Sequence, residues 1–198
     1  FVMTLCFSRH QYVEFVWDQS VATWLGCHRR AFEWFTAVPA RIIIDNPKCA
    51  ITKACSRDPL VQRAYAECAE GYGFKIDPCP PADPQKKGIV EAGVKYVKGN
   101  FLPTRSFRDL ADLNAQARSW VMAEAGVRIH GTTRTQPLVL FAVEKSLLRA
   151  LPAAVRALFR LAAMSGLAVV LRANTLTKTI DCACSPENVA AVGDAVAV

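Results

Sequence analysis

A short run of branched apolar residues, Arg41-Ile-Ile-Ile44, is the feature that most restricts the fold. Successive side chains of a strand point to opposite faces, so three consecutive isoleucines need apolar cover on both faces of a sheet. Segments with helical spacing flank the run, at residues 21–35 and 59–70, and they can supply that cover. The sequence therefore predicts an α/β protein with a sheet between helices. At 198 residues, 52% of them hydrophobic, the chain is long enough to bury such a core.

The remaining segments extend this alternation. Two β-rich runs at residues 1–7 and 12–17 predict a hairpin, and residues 74–77 predict another strand after the second helix. Further helices are predicted at residues 87–101 and 109–125. We expect an antiparallel hairpin that leads into parallel crossovers, with residues 41–45 lying parallel to the first strand. Four tryptophans fall on these predicted strands and helices and are expected in the core: Trp17, Trp24, Trp34 and Trp120.

Charge and cysteine content restrict the partners and the compartment. The formal net charge is +7, which favours a polyanionic partner, although many basic proteins have none. None of the eight cysteines forms a CxxC pair, so free, buried thiols in a reducing cytoplasm are expected. No secretory signal is visible, and the apolar run at residues 161–171 is too short to span a bilayer. A soluble intracellular protein is the expectation.

Two carboxylates stand out by their positions. Asp45 directly follows the isoleucine strand, and ligand sites of open α/β sheets lie at such carboxyl ends. Glu91 lies on the predicted helix beside the apolar stripe of Val90, Val94, Val97 and Phe101, on the same flank as lysines 87, 95 and 98. An acidic group among lysines suits a metal ligand beside a phosphate-binding strip. Ordinary ion pairs of Glu91 with Lys87 and Lys95 are the alternative.

Four stretches of the chain resemble integrase-core transposases. Residues 39–50 resemble the strand that carries the second aspartate of that family, and residues 80–91 resemble the loop and helix that carry its final glutamate. Residues 100–109, together with Asp112-Leu-Asn114, Trp120 and His130-Gly-Thr-Thr133, resemble the IstA-type insertion-sequence transposases. The resemblance covers roughly residues 1–152.

The resemblance implies an RNase H-like (retroviral-integrase-like) fold, a mixed sheet flanked by helices, and a DDE-type DNA transposase that cleaves and transfers strands. Asp45 and Glu91 would be catalytic and would hold two Mg²⁺ or Mn²⁺ ions. The family's first aspartate lies on a strand before the opening hairpin, and that strand is missing here, so this chain alone is expected to be inactive. Asp18 lies too late to replace it. The alternative is a catalytically inactive DNA-binding remnant of a decayed insertion sequence.

Partners and domain limits follow from the same resemblance. Six basic residues are expected to contact DNA phosphates: Lys86, Lys87, Lys95, Lys98, Arg105 and Arg108. An IstB-type ATPase helper, a multimer on DNA and a bacterial cytoplasmic, nucleoid-associated location are expected. Residues 1–125 are predicted to form the N-terminally truncated catalytic core and residues 126–152 a family-like extension. Residues 153–198 are an Ala/Val-rich tail, which is expected to be the product of a frameshifted or truncated reading frame or else a divergent helical tail.

Overall fold

The structure, a computed structural model, describes residues 1–44, 47, 49–53, 60–78 and 84–153. Strands and helices alternate along these residues, as the sequence predicts. The eight short strands are β1 Val2–Thr4, β2 Gln11–Val13, β3 Ala37–Val38, β4 Arg41–Ile44, β5 Ile51–Lys53, β6 Leu60–Val61, β7 Lys75–Pro78 and β8 Arg149–Ala150. The five helices are α1 Val21–Phe35, α2 Arg63–Tyr72, α3 Pro84–Asn100, α4 Leu110–Trp120 and α5 Pro137–Glu144. A π-helical turn, Val121–Ala125, continues α4.

The strands are hydrogen-bonded in pairs. β1 and β2 form the predicted antiparallel hairpin, with Thr4 opposite Gln11, although both strands are shorter than the sequence patterns predict. β3 pairs with β8 and β5 with β6, both antiparallel. β4 pairs in parallel with β7, which places Ile44 opposite Pro78. The carboxyl ends of these two parallel strands therefore lie together.

The predicted partner of β4 is wrong. Within the described residues, β4 is hydrogen-bonded to β7 and not to β1. The physical reason is the crossover helix α2, which contacts α1 and β7 and brings the chain back beside β4. The strand itself is confirmed, because Ile42 and Ile44 are buried.

Local signals set the ends of the helices. The Ser20 hydroxyl accepts a hydrogen bond from the Thr23 amide at 3.2 Å and caps the start of α1. α2 ends at Gly73, whose φ of 75° is a left-handed conformation that glycine adopts readily. The Asp109 carboxylate accepts from the Asp112 amide at 2.8 Å and caps α4. α2 begins later than predicted because residues 60–61 form β6.

Aromatic side chains fill two adjoining hydrophobic clusters. The first surrounds α1 and contains Trp24, Phe32 and Tyr65, and the second joins α3 to α4 through Phe101 and Trp120. Core positions are therefore confirmed for Trp24 and Trp120, while Trp34 is partly buried against both clusters. The expectation for Trp17 is wrong, because it follows the hairpin and is 43% exposed.

Residues beyond α4 pack onto the same core. Leu151 is buried in the first cluster, and Phe141 of α5 packs against the ring of Phe35. The buried Glu144 accepts a hydrogen bond from the Ser8 amide at 3.0 Å, which joins the hairpin turn to the end of α5. The predicted boundary at residue 125 stays a prediction. Of the predicted tail 153–198, residues 154–198 lie outside the described residues.

Two buried histidines make the stability of the fold depend on pH. The His28 Nδ1 donates to the Trp24 carbonyl at 3.0 Å, so its Nε2 accepts from the Tyr65 hydroxyl at 3.1 Å. The His10 Nε2 accepts from the Trp34 indole at 3.2 Å. Burial lowers the pKa of each imidazole from 6.5 to about 4. Both rings are therefore neutral in the folded protein at neutral pH.

We predict that the free energy of unfolding decreases as the pH falls from about 6.5 to about 5. In that window the unfolded chain binds protons at both histidines and the folded chain does not, so protonation favours unfolding. The stability is fully present above the unfolded pKa of 6.5. Each histidine contributes up to about 1.4 kcal/mol per pH unit. Urea unfolding across this window measures the slope, and His28→Gln should flatten it; a free energy that does not change with pH in the parent chain would contradict the prediction.

Candidate metal and DNA-binding site

Glu91 lies on the solvent-facing side of α3. On the neighbouring side of α3 Val97 is buried and Val94 is partly buried, and Phe101 is buried just after the helix, which confirms the apolar stripe at these three positions. Glu91, Lys95 and Lys98 are exposed. Helical spacing puts the carboxylate of Glu91 on the same flank as the two lysines. An exposed carboxylate beside ammonium groups is therefore present where the sequence predicts it.

The alternative role of Glu91, ion pairs with Lys87 and Lys95, can be checked for Lys95. In the described part of the chain, Glu91 makes no ion pair with Lys95, while the Lys87 side chain lies outside that part. The same residues contain no group of three or more His, Cys, Asp or Glu side chains placed to hold a metal ion. Glu91 thus keeps carboxylate oxygens that suit a hard divalent cation, and further ligands must come from other residues.

Gly93 fixes α3 closely against the hairpin. A Cβ at this position would lie 2.6 Å from Gln11 Nε2 and 2.9 Å from Thr4 Oγ1, which is closer than van der Waals contact allows. Gln11 is buried, and its amide donates to the Thr4 hydroxyl at 3.1 Å. A side chain at position 93 would therefore break this hydrogen bond or move α3. The contact sets the position of Glu91 relative to β1 and β2.

Asp45 follows the last residue of β4 and lies outside the described residues, as does Asn46. The described neighbour Ile44 is fully buried, and its parallel partner in β7 is Pro78. Ile44 therefore ends β4 at the shared carboxyl ends of β4 and β7. Sheets of this kind bind ligands at such ends.

Two other carboxylates near this region have structural partners. Asp77 of β7 lies 3.4 Å from Arg41 of β4 in an ion pair. Asp18 is exposed and accepts a hydrogen bond from the Ser20 amide at 2.7 Å. Hydrogen bonds from the Ser20 side chain and amide lower the pKa of Asp18. Asp18 thus holds the turn that starts α1, in keeping with the absence of a predicted role for it.

The six predicted DNA contacts are two lysines without ion pairs, two arginines in ion pairs, and two lysines whose side chains are not described. Lys95 and Lys98 are exposed, and within the described residues neither forms an ion pair. Arg108 is exposed and pairs with Asp112 at 3.5 Å. Arg105 is half-buried, pairs with Glu124, and lies over the Phe101 ring at 5.1 Å from its centroid. Lys86 and Lys87 belong to α3, but their side chains lie outside the described part. Among the four predicted contacts whose side chains are described, Lys95 and Lys98 are therefore the most accessible to DNA. All six assignments stay predictions.

Sequence reasoning missed the contact that joins α4 to the hairpin. The Asn114 side chain accepts from the Phe15 amide at 2.7 Å and donates to the Phe15 carbonyl at 2.9 Å, so it pairs with the backbone as a strand would. Asn114 is half-buried on the side of α4 that carries the buried Leu113 and Ala117, and a polar residue there is a signal of such a contact. The two hydrogen bonds anchor the second cluster to the end of β2.

No helix among the described residues is both long enough and apolar enough to cross a membrane. The four cysteines in this part of the chain, Cys6, Cys27, Cys49 and Cys68, are free thiols, as predicted. Their predicted burial is confirmed for Cys27 and Cys49 and is wrong for Cys6, which is exposed.

Known proteins resemble this chain over most of its described length. Residues 1–84 match the integrase core domain family. A putative transposase of Mycobacterium tuberculosis is 40% identical over 154 residues, which are 77% of this chain and 38% of that protein. An IS21-like insertion-sequence transposase of Bacteroides fragilis is 34% identical over 152 residues, covering 75% of this chain and 29% of the relative.

The transposase of insertion sequence element IS21 from Pseudomonas aeruginosa is 30% identical over 152 residues, covering 76% of this chain. The chain spans between 29% and 39% of the length of these three relatives. The matches agree with the resemblance to integrase-core transposases and with the α/β architecture. Together they support a transposase integrase core of the IS21 family for this chain.

Proposed function

We propose that this chain is part of a DDE-type transposase that cleaves DNA at the ends of an insertion sequence and joins those ends to target DNA. The observation that carries the proposal is the exposed Glu91 carboxylate, held on α3 beside the exposed Lys95 and Lys98. The names of the relatives, all transposases, support the same reaction. In the complete fold we expect an RNase H-like mixed sheet that contains β4 and β7 together with the two strands of the hairpin.

The carboxylates of Asp45 and Glu91 are proposed to hold divalent metal ions, Mg²⁺ or Mn²⁺. Exposed carboxylate oxygens are the ligands that these hard cations prefer, so Glu91 fits such a role. When bound, a pair of ions supplies stabilisation of the charge on the attacking and leaving oxygens of a phosphoryl transfer. The Gly93 contact keeps α3 against β1 and β2 and so holds the Glu91 carboxylate in place.

The lysines of α3 are proposed to bind the DNA backbone next to that site. Lys95 and Lys98 present ammonium groups to solvent on the flank that carries Glu91, and Lys86, Lys87, Arg105 and Arg108 are proposed as further phosphate contacts. Contacts of this kind go to phosphates, so they position DNA without reading its sequence. The DNA strand would lie along α3, with a phosphodiester directed to the carboxylates.

Residues 1–198 alone are proposed not to cleave DNA, because Asp45 and Glu91 are two of the three carboxylates that the reaction needs. If a complete protein carries no third carboxylate, the chain instead acts as a DNA-binding remnant without catalysis. The test is Mg²⁺-dependent nicking of DNA that carries an insertion-sequence end, compared between residues 1–198 and a chain extended upstream by a strand with an aspartate. Nicking by the extended chain alone is the expected result.

The complete protein is proposed to work with an IstB-type ATPase and to assemble as a multimer on DNA. A location in the bacterial cytoplasm, in association with the nucleoid, belongs to the same proposal. These partners follow from the family resemblance and from the DNA substrate.

A further inference from the structure

The turn of the hairpin and the loop before α5 both contact α5. The Ser8 amide donates to Glu144 at the end of α5, and the His10 ring lies 4.7 Å from the Phe141 ring in its middle. At the start of α5, the Leu138 amide donates to the Gly126 carbonyl at 2.9 Å. Residues 7–10 and the loop 126–136 are thus brought to one region, although they are far apart in sequence.

The loop itself is folded by its own hydrogen bonds. The His130 amide donates to the Thr135 carbonyl at 3.1 Å, and the Arg134 amide donates to the His130 carbonyl at 2.8 Å. The Thr132 amide donates to His130 Nδ1 at 3.2 Å, which leaves Nε2 as the ring nitrogen that carries a proton. Gly131 and Thr132 are exposed. A polar, accessible turn with a fixed imidazole results.

Two arginines in this region have unsatisfied buried donors. The Nε atoms of Arg9 and Arg128 are buried, and neither has a hydrogen-bond partner among the described residues. The Arg128 guanidinium lies over the Tyr96 ring, 3.8 Å from its centroid, which restricts its orientation. Arg9 has a φ of 64°, a conformation that non-glycine residues adopt rarely. Buried donors without acceptors are uncommon, and an unobserved ligand is one cause of them.

The charges of these arginines are not neutralised by close ion pairs in the described part of the chain. Burial lowers the pKa of the His130 imidazole, and the positive charges of Arg128 and Arg9 lower it further. Both arginines therefore act electrostatically on His130. The Glu144 carboxylate, which accepts from the Phe7 and Ser8 amides, offsets one of these two charges. The two guanidinium groups together with Glu144 leave the region with a net positive charge.

We propose that Arg9, Arg128 and the His130–Thr133 turn form a phosphate-binding site, separate from the lysines of α3. A phosphate oxygen accepts from guanidinium groups and from an imidazole N–H, so it fits this set of donors. The phosphate comes from the DNA backbone, and this choice of source rests on the proposed function. The inference that the site binds a phosphate rests only on its donor groups. The site would hold DNA at a second point, on the hairpin turn.

Inorganic phosphate tests the chemistry without DNA. Phosphate should raise the Tm of residues 1–198 above that in sodium chloride of equal ionic strength, because a ligand of the folded state stabilises it. By NMR it should also raise the pKa of His130, because an anion favours the imidazolium. Arg9→Gln with Arg128→Gln should abolish both effects, whereas the control pair Arg41→Gln with Arg63→Gln should keep them. The pair Arg9→Lys with Arg128→Lys retains the charges and should weaken both effects, which guards against loss of folding.

Equal Tm values in phosphate and chloride for the parent chain would overturn the proposal, as would effects that persist in the Arg9 and Arg128 double variant. Duplex DNA then tests the source. The slope of log affinity against log salt should fall by about 0.9 in the double variant, the value for one lost phosphate contact. An unchanged slope, with the phosphate effects intact in the parent, would reject DNA as the source and leave the lysine and cleavage tests unaffected.

Discussion

Asp45→Asn or Glu91→Gln should each lower Mg²⁺-dependent strand cleavage by about 10³-fold or more, in a chain extended upstream by a strand with an aspartate. The reason is electrostatic. Two divalent ions would bring four positive charges, and loss of either proposed carboxylate ligand would leave an ion poorly held and the reacting oxygen without a fixed position. The measurement is the rate of nicking of a DNA end. Binding of the same DNA should change little, because these side chains act on the metal ions.

Asp18→Asn is the matched control for the loss of an acidic side chain. Its carboxylate holds the turn before α1, so cleavage should stay near the parent rate. Cleavage that survives Glu91→Gln would refute the assignment of the site. Robust strand transfer by residues 1–198 without extension would also contradict it, and a third carboxylate would then be sought at Asp18 and at Asp83, which lies outside the described residues.

Neutralising Lys87, Lys95 and Lys98 together by Gln should weaken DNA binding by at least about tenfold at low salt, equally for all DNA sequences. Phosphate contacts release counterions without reading bases, so the slope of log affinity against log salt should fall by about 3. Exposure of Lys95 and Lys98 supports the expectation. Fluorescence anisotropy of labelled duplexes over a range of salt concentrations measures both quantities.

A variant with the same change in charge is available elsewhere. Lys75, Lys145 and Arg63 are exposed on β7, after α5 and on α2, and their replacement by Gln should leave the salt slope close to that of the parent. If the α3 triple variant kept the parent slope, these lysines would be only a solvated surface. If both triple variants lost the same slope, binding would depend on net charge alone.

Elements with a local pattern were predictable from the sequence. Ile42 and Ile44 share one face of β4 and are buried, while Ile43 on the other face is half-buried, and helical spacing places the exposed Glu91 beside the apolar stripe of α3 rather than in it. The choice of partner for β4 was not predictable in this way. It depends on where α2 returns the chain, which is a property of tertiary packing and not of any local run of residues.

The details of the site depend on contacts between residues far apart in sequence. The sequence gives no sign that Gly93 differs from any other helix glycine. In the structure, a Cβ at Gly93 would lie 2.6 Å from Gln11 Nε2 and 2.9 Å from Thr4 Oγ1. Arg105 reads as a surface cation, yet Glu124 and the Phe101 ring hold it. Such pairings follow from the packing of α3 and α4 on the hairpin, so composition and spacing could not reveal them.

The proposed site requires that Asp45 and Glu91 bind metal at one place. Mn²⁺ is paramagnetic and broadens the NMR signals of nearby backbone amides, so titration of isotope-labelled residues 1–198 with Mn²⁺ tests this directly. We expect amides around residue 45 and around residue 91 to broaden together at the same Mn²⁺ concentration, and Glu91→Gln to weaken the effect at both. Broadening at one position without the other, or at neither, would show that the two carboxylates do not share a metal site.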